Sequence, residues 1–308
     1  MLSEQSSGVF MIAVTPFDDH GGLDLASIDR ATDFYIEREV DGLTVLGMMG
    51  EAVKLTAAES RLVVDRVIRR VAGRIPVVVG VPSAGFAGMR ELAAAAMDLG
   101  ASGVMVAPPG YLRTDASIVA FYRNVAETLG ADAPFALQDF PQSTGVQIAA
   151  DVIERIVSEL PSCVMLKHED WPGLAKITHL REASEAGRIR RISILTGNGG
   201  LFLPHELARG ADGAMTGFAY PEMLVDVCRA FSKGEVERAC DLFDAYLPLV
   251  RYEQQPGLGL AVRKYVLWKR GAIRTSTIRR PGPALSAADI ADIEGLIARQ
   301  ERRLAALN

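Results

Sequence analysis

Lys167 is the residue whose type and setting most directly suggest chemistry. Six lysines stand among the 33 basic residues, and only this one closes an apolar run, Cys163-Val164-Met165-Leu166. Alternation along a strand can aim the last side chain of such a run into the space at the end of a sheet. An amine in apolar surroundings gives up its proton more readily and can attack a carbonyl carbon to form an imine. The plainer alternative is a lysine that reaches solvent or pairs with Glu169 or Glu51. Lys54 follows a loop and reads as solvated. Gly47-Met48-Met49-Gly50-Glu51 is a glycine-containing turn whose converging amides suit a carboxylate, although an ordinary strand-to-helix turn would look the same. Asp139 and Glu51 end strands and are candidate acid–base groups, against the commoner surface carboxylate. His168 alternates with Lys167, so it is expected to face the other way. His205 lies in a helical stretch and reads as structural.

The elements that position these residues alternate. Short, nearly continuous apolar runs cover Val9–Thr15, Gly42–Gly47, Pro76–Val81, Gly103–Ala107, Pro134–Gln138, Cys163–Lys167, Ile192–Gly197 and Gly213–Thr216. Unbroken hydrophobicity marks strands buried on both faces, as in a parallel sheet. Amphipathic stretches lie between them. Asp24 is placed to cap Leu25–Glu39, and Thr56 through Glu59 has capping-box spacing before Ala57–Ala72. Phe86–Leu99 and Ser117–Leu129 each run into a glycine, Gly100 and Gly130.

Eight strand–helix units in about 215 residues predict a (β/α)8 TIM barrel, a fold of roughly 250 residues. The competing doubly wound sheet lacks support, because Thr15-Pro16-Phe17 follows the first strand where a GxGxxG turn would stand. Beyond residue 220 the strand signal stops. Met223–Ser232, Glu235–Tyr252, Leu258–Arg270 and Ser286–Leu307 are helical in pattern. The expected division is therefore a barrel over 1–220 and a C-terminal helical extension over 221–308. In such a barrel the site lies at the C-terminal ends of the strands. Those ends are Thr15-Pro16, Gly47 to Glu51, Pro82-Ser83, Pro108-Pro109-Gly110-Tyr111, Gln138-Asp139, Lys167-His168-Glu169, Gly197-Asn198 and Thr216-Gly217.

Composition narrows the functional classes. The 308 residues are 49% hydrophobic and 23% charged, with a net charge of −5. No basic block supports nucleic-acid binding. No apolar run approaches the ~20 residues of a membrane span. The N-terminal MLSEQSSGVF has no secretory pattern, so a cytoplasmic protein is expected. Cys163, Cys228 and Cys240 fit a reducing compartment and no disulfide framework. They show no zinc-site spacing, and no metal is expected.

Taken in order, these pieces resemble the dihydrodipicolinate synthase/N-acetylneuraminate lyase family of class I aldolases and lyases, over nearly the whole chain. The resemblance is carried by Val14-Thr15-Pro16-Phe17, by Gly47-Met48-Met49-Gly50-Glu51 at the family's GTTGE turn, and by Pro141 with Thr144-Gly145. It continues through Lys167, Thr196-Gly197, Gly213-Ala214-Met215-Thr216-Gly217 and the helical appendage. It implies an imine between Lys167 and the keto carbon of pyruvate or a longer 2-keto acid, with no cofactor. It further implies that backbone at Gly47, Met48 and Met49 holds the substrate carboxylate without the two threonine hydroxyls. Ser143, Gly197 and Met215 are its other expected substrate-binding positions. The family's assembly implies a homo-oligomer, dimer or tetramer.

Three departures bear on the reaction. Gln138 stands where the family has a catalytic tyrosine, and an amide cannot relay protons as a phenol does. Ser143 stands where synthases have an arginine for a second carboxylate. The tyrosine that crosses the subunit boundary falls near Gly110 or Tyr111. The proton-relay role then passes to Tyr111, to a water held by Gln138 and Asp139, or to the substrate carboxylate. Gln138-Asp139-Phe140-Pro141, with the stretch from Leu247 to Gln255, is similar to 2-keto-3-deoxy sugar-acid dehydratases of the arabonate type. Dehydration, aldol cleavage and pyruvate condensation all stay open, as do condensation with aspartate semialdehyde and a weakened barrel that only binds keto acids.

Overall fold

The computed structural model describes residues 1–82, 85–171 and 173–307. Eight parallel strands close on themselves in sequence order. They are β1 Gly8–Ile12, β2 Gly42–Val45, β3 Val77–Gly80, β4 Gly103–Val106, β5 Phe135–Asp139, β6 Cys163–His168, β7 Ser193–Thr196 and β8 Gly213–Thr216. The chain is thus a TIM barrel with a C-terminal helical extension, as the alternating pattern implies. The ladders are shorter than the apolar runs at several strands. After β1, for instance, Ala13 to Thr15 leave the ladder and shape the mouth. At the third strand end Ser83 lies outside the described residues.

The ring of outer helices comprises α1 Leu25–Glu37, α2 Ala57–Val71, α3 Phe86–Asp98 and α4 Asp115–Leu129, then a single turn α5 Pro141–Thr144 before α6 Ala150–Glu159. It continues with α7 Leu174–Glu185, α8 Leu203–Leu207 and α9 Pro221–Ser232. The expected caps form. Asp24 accepts from the Ser27 amide at the start of α1, and Thr56 and Glu59 cap α2 reciprocally. Three more helices follow: α10 Val236–Glu253, α11 Gly259–Lys269 and α12 Ala287–Leu307. A division drawn at 220 sets α9 with these, yet α9 packs on β1 as well as on α8 and α10. Among the described residues no helix is long and apolar enough to cross a membrane.

Strand alternation sorts side chains into two layers. Phe10, Ile12, Val78, Met105, Ala136, Met165, Leu195 and Met215 pack together in one buried cluster, which fills the barrel. Their register partners continue upward, so Gln138, two residues past Ala136, and Lys167, two past Met165, face the same interior side by side. Leu137, Leu166 and Ile194 point outward into the layer beneath the helices. The filled interior gives Lys167 an apolar floor and leaves only the strand ends open to a ligand.

Candidate active site

At the mouth of the barrel a cavity is lined by Lys167 and Gln138, together with Met48, Met49, Phe140 and Glu169. Asn198 and Gly199 after β7, Thr216 and Gly217 at β8, and Gln254 and Arg263 from the appendage complete it with Ile12. Lys167 is 4% exposed. Its Nζ lies 2.9 Å from Glu169 Oε2, and the Gln138 amide donates to that same oxygen at 2.7 Å. Lysine, carboxylate and amide therefore form one buried cluster. The pairing with Glu169 was the plainer alternative for Lys167, and here the pairing and the cavity occur together. A buried carboxylate beside a buried amine can accept its proton and return it.

Glu169 is held from behind. Its amide donates to the Asp139 carbonyl at 2.8 Å, and its carbonyl accepts from the Asn198 side chain at 3.2 Å. A Cβ on Gly197 would stand 2.1 Å from Glu169 Cγ, so glycine there makes room for the carboxylate.

The turn after β2 contributes Met48 and Met49 as its two cavity residues. Met48–Gly50 is a single 3-10 turn opening at Gly47. A short helical turn leaves its first amides without partners of their own. Leu46 and Glu51, on either side, are left-handed at φ 56° and 55°. Such conformations persist in β-branched or long residues only when neighbours enforce them. Here Thr15 Oγ1 donates to the Gly50 carbonyl at 2.6 Å. Glu51 accepts from Lys264 at 2.5 Å and from Lys54 at 2.9 Å. Lys264 also donates to the Thr15 and Thr277 carbonyls at 2.8 and 2.9 Å. Burial pulls the Lys264 ammonium down to about 8, against the opposing pull of Glu51. Glu51 is thus a fixed counter-ion under the turn and is absent from the cavity lining. Lys54 is not free in solvent, because Arg279 of the appendage folds over it and accepts from its Nζ at 2.8 Å.

Several expected residues lie elsewhere. Asp139 is fully buried but outward-facing, because it alternates with Gln138. Lys176 donates to it at 2.7 Å, and desolvation outweighs that lysine to push its carboxyl up to about 6. It is paired in register with His168, whose ring faces the Gly173 carbonyl at 3.0 Å. Desolvation brings the His168 imidazole down to about 4, so it is neutral. Tyr111 is 67% exposed and does not line the cavity. Ser143 is exposed and donates to Met48 Sδ at 3.0 Å, outside the lining. Met215 lies in the apolar floor beneath. Gly47 and Gly197 shape the rim without lining it. Among the described residues no group of three or more His, Cys, Asp or Glu side chains is placed to hold a metal ion.

The appendage supplies two lining residues that strand-end reasoning missed, Gln254 and Arg263. Arg263, in the middle of α11, is 2% exposed and donates through Nε to Glu253 at 2.5 Å. Glu253, fully buried at the end of α10, also accepts from the Ala219 amide at 3.1 Å. Burial raises the Glu253 carboxyl, with Arg263 opposing. The signal for Arg263 was present as adjacent charges, Arg263-Lys264, inside a largely apolar helix. Such charges are buried only when something on the protein's inside requires them.

Comparison with known proteins agrees with this architecture. The model of the dihydrodipicolinate synthetase family matches residues 5–299. An L-2-keto-3-deoxyarabonate dehydratase of Azospirillum brasilense is 32% identical over 282 residues, covering 90% of this chain and 89% of that one. A 4-hydroxy-tetrahydrodipicolinate synthase of Methanothrix thermoacetophila is 31% identical over 247 residues, covering 79% and 80%. A crystal structure described as dihydrodipicolinate synthase from Rhodopseudomonas palustris is 52% identical, with a TM-score of 0.95 over 97% of this chain and 99% of that one.

Proposed function

The chain belongs to the dihydrodipicolinate synthetase family, whose members are class I, lysine Schiff-base lyases acting on small keto acids, and we propose that it dehydrates or cleaves a 2-keto-3-deoxy sugar acid through an imine on Lys167. The observation that carries this reading is the buried cluster of Lys167, Glu169 and Gln138 at the end of β5 and β6. Glu169 takes a proton from the lysine ammonium, and Nζ attacks the keto carbon C2. Glu169 returns that proton to the carbinolamine hydroxyl, which leaves as water, so that the iminium, the electron sink, forms and Glu169 is again a carboxylate. The turn at Met48 and Met49 receives the C1 carboxylate through main-chain amides. Glu169 then removes a proton from C3, leaving an enamine. In the dehydration the enamine electrons expel hydroxide from C4, and Glu169 returns its proton so that water departs. Hydrolysis of the imine frees the product and restores Lys167. Gln138 takes no proton in this scheme. It orients the carboxylate that does the work of the absent tyrosine.

The dehydratase of A. brasilense supports the sugar-acid reading through its identity over nearly the full chain. A second reading, condensation of pyruvate with aspartate semialdehyde, is favoured by the 52% identity to a structure bearing the synthase name. Ser143, in place of a cation for the second carboxylate, weighs against it. We also expect a homo-oligomer. Exposed Met48, Val53 and Tyr111 leave apolar surface around the mouth of the barrel.

Borohydride reduction in the presence of pyruvate or a 2-keto-3-deoxy sugar acid tests the reading. The reduced substrate should be found by peptide mass on Lys167, and Lys167→Ala should lose it. No adduct with any member of a panel of 2-keto acids would sink the proposal. Faster turnover in a coupled assay with pyruvate and aspartate semialdehyde than with sugar acids would select the synthase.

A further inference from the structure

We propose that Arg263 and Gln254, both carried by the C-terminal appendage, form a donor subsite for the hydroxyl oxygens of the substrate's distal carbons and so select a hydroxylated 2-keto acid over pyruvate. The inference rests on the reading of Lys167 as the imine-forming residue. Arg263 is buried, its Nε is committed to Glu253, and its Nη1 is buried without a hydrogen-bond partner among the described residues. Gln254 Nε2 is likewise buried and unpartnered. Both side chains line the same cavity as Lys167. Burying a donor without an acceptor is costly, so two of them on side chains that line one cavity point to a ligand rich in acceptor oxygens.

Two glycines admit these side chains. A Cβ on Gly217, at the end of β8, would stand 2.1 Å from Arg263 Nη1 and 3.1 Å from the Ile12 carbonyl. The guanidinium therefore lies over the gap between β8 and β1. A Cβ on Gly199, after β7, would stand 2.2 Å from Gln254 Nε2. The donors thus occupy the β7–β8 side of the mouth. Lys167 reaches in from β6, and the turn that receives C1 follows β2. A substrate held by C1 at that turn and by C2 at Lys167 has its remaining carbons left to extend toward the donors.

Charge separates a hydroxyl from a second carboxylate. Arg263 is balanced by Glu253, and Lys167 by Glu169. These four charges cancel, so a further anion would be buried without a counter-charge. A hydroxyl oxygen accepts from Nη1 and Nε2 and brings no charge.

The test compares half-saturating concentrations for borohydride trapping of Lys167 by pyruvate and by 2-keto-3-deoxyarabonate. Gln254→Ala removes one donor. Arg263→Lys keeps the charge opposite Glu253 while withdrawing Nη1, and the pair Arg263→Met with Glu253→Gln removes both charges together. Each variant should raise the half-saturating concentration of the sugar acid about tenfold, the usual worth of a hydrogen bond to a buried group, and shift pyruvate by less than about twofold. Equal weakening of both acids, or no change, overturns the subsite. So does tighter trapping by 2-ketoglutarate than by the sugar acid, because the donors would then be serving an anion. If the Arg263 variants fail to fold, Gln254→Ala alone decides. Wild-type protein that traps neither acid overturns the imine reading as well, whereas normal trapping with an unmoved ratio overturns only the subsite.

Discussion

Glu169→Gln removes the proposed proton carrier while leaving Lys167 able to form its imine, though more slowly. In the native cluster one oxygen, Glu169 Oε2, serves both Gln138 at 2.7 Å and Lys167 at 2.9 Å. A glutamine has the same shape and can offer its own carbonyl oxygen to both partners. The hydrogen bonds are kept while the buried ammonium loses its counter-charge, which costs about 2–3 kcal/mol. Deleting one partner of a buried pair outright would cost about 3–5 kcal/mol. The fold should therefore survive. What the amide cannot do is carry a proton, and positioned acid–base groups contribute about 10²- to 10⁴-fold. Pyruvate gives a direct readout, because exchange of its methyl protons with deuterium above the buffer background reports the enamine. Proton NMR in D2O should show this exchange slowed at least about 100-fold in Glu169→Gln. Borohydride should still trap pyruvate on the lysine given enough time. Exchange within about tenfold of wild type, below the least that a general base supplies, would refute the assignment. Tyr111→Phe is the control. If that exposed phenol is the relay, delivered by a neighbouring subunit, its loss and not that of the carboxylate will stop the exchange.

Gly197→Ala should reproduce the exchange defect without touching an ionisable group, because its Cβ would meet Glu169 Cγ at 2.1 Å; a normal rate would show that the carboxylate has another place to sit. Lys264→Met strips Glu51 of its 2.5 Å partner and frees the Thr15 and Thr277 carbonyls. With Lys54 still in place the loss should be about 3 kcal/mol, seen as a fall in thermal midpoint of roughly 5 °C or more, and the loosened turn should raise KM for the keto acid. Glu206, buried in α8, has its carboxyl pushed by desolvation up to about 7 from the usual 4.5. The folded state keeps a proton that the unfolded chain sheds, so this contribution is full below pH 4.5 and is lost as pH rises toward 7. Glu206→Gln stays neutral throughout, so urea midpoints should show it gaining on wild type by about 1–3 kcal/mol between pH 5 and pH 8. Parallel profiles would contradict the burial argument.

The barrel was readable because burial on both faces leaves a continuous apolar run, and eight such runs in order leave few topologies. Strand period also separates neighbours: Lys167 and Gln138 face in while His168 and Asp139 face out. The period that turns His168 away from the cavity turns Asp139, its register partner on β5, away as well. Tyr111 and Ser143 were drawn from the family pattern, and a loop carries no period that could locate a side chain. Arg263 and Gln254 lay beyond the reach of strand-end reasoning altogether. Helix period says which residues share a face, but not that a face of α11 looks down on the mouth between β8 and β1. Only the tertiary packing of the appendage brings residue 263 against residue 217.

The absence of the tyrosine and the presence of the carboxylate are best understood together. A phenol at position 138 could exchange protons itself and would need no carboxylate beside the lysine. With glutamine there, the proton carrier we propose is Glu169, which follows β6 two residues beyond Lys167. That placement works only because Gly197 has no side chain to displace Glu169, and because Asn198 and the Asp139 carbonyl fix the Glu169 backbone. Glutamine, glutamate and glycine thus form an interdependent set across β5, β6 and β7. Restoring a tyrosine singly, as Gln138→Tyr, should not rescue Glu169→Gln if the ring meets the same crowded corner. Rescue of deuterium exchange by that double variant would show instead that the two chemistries are interchangeable at this position.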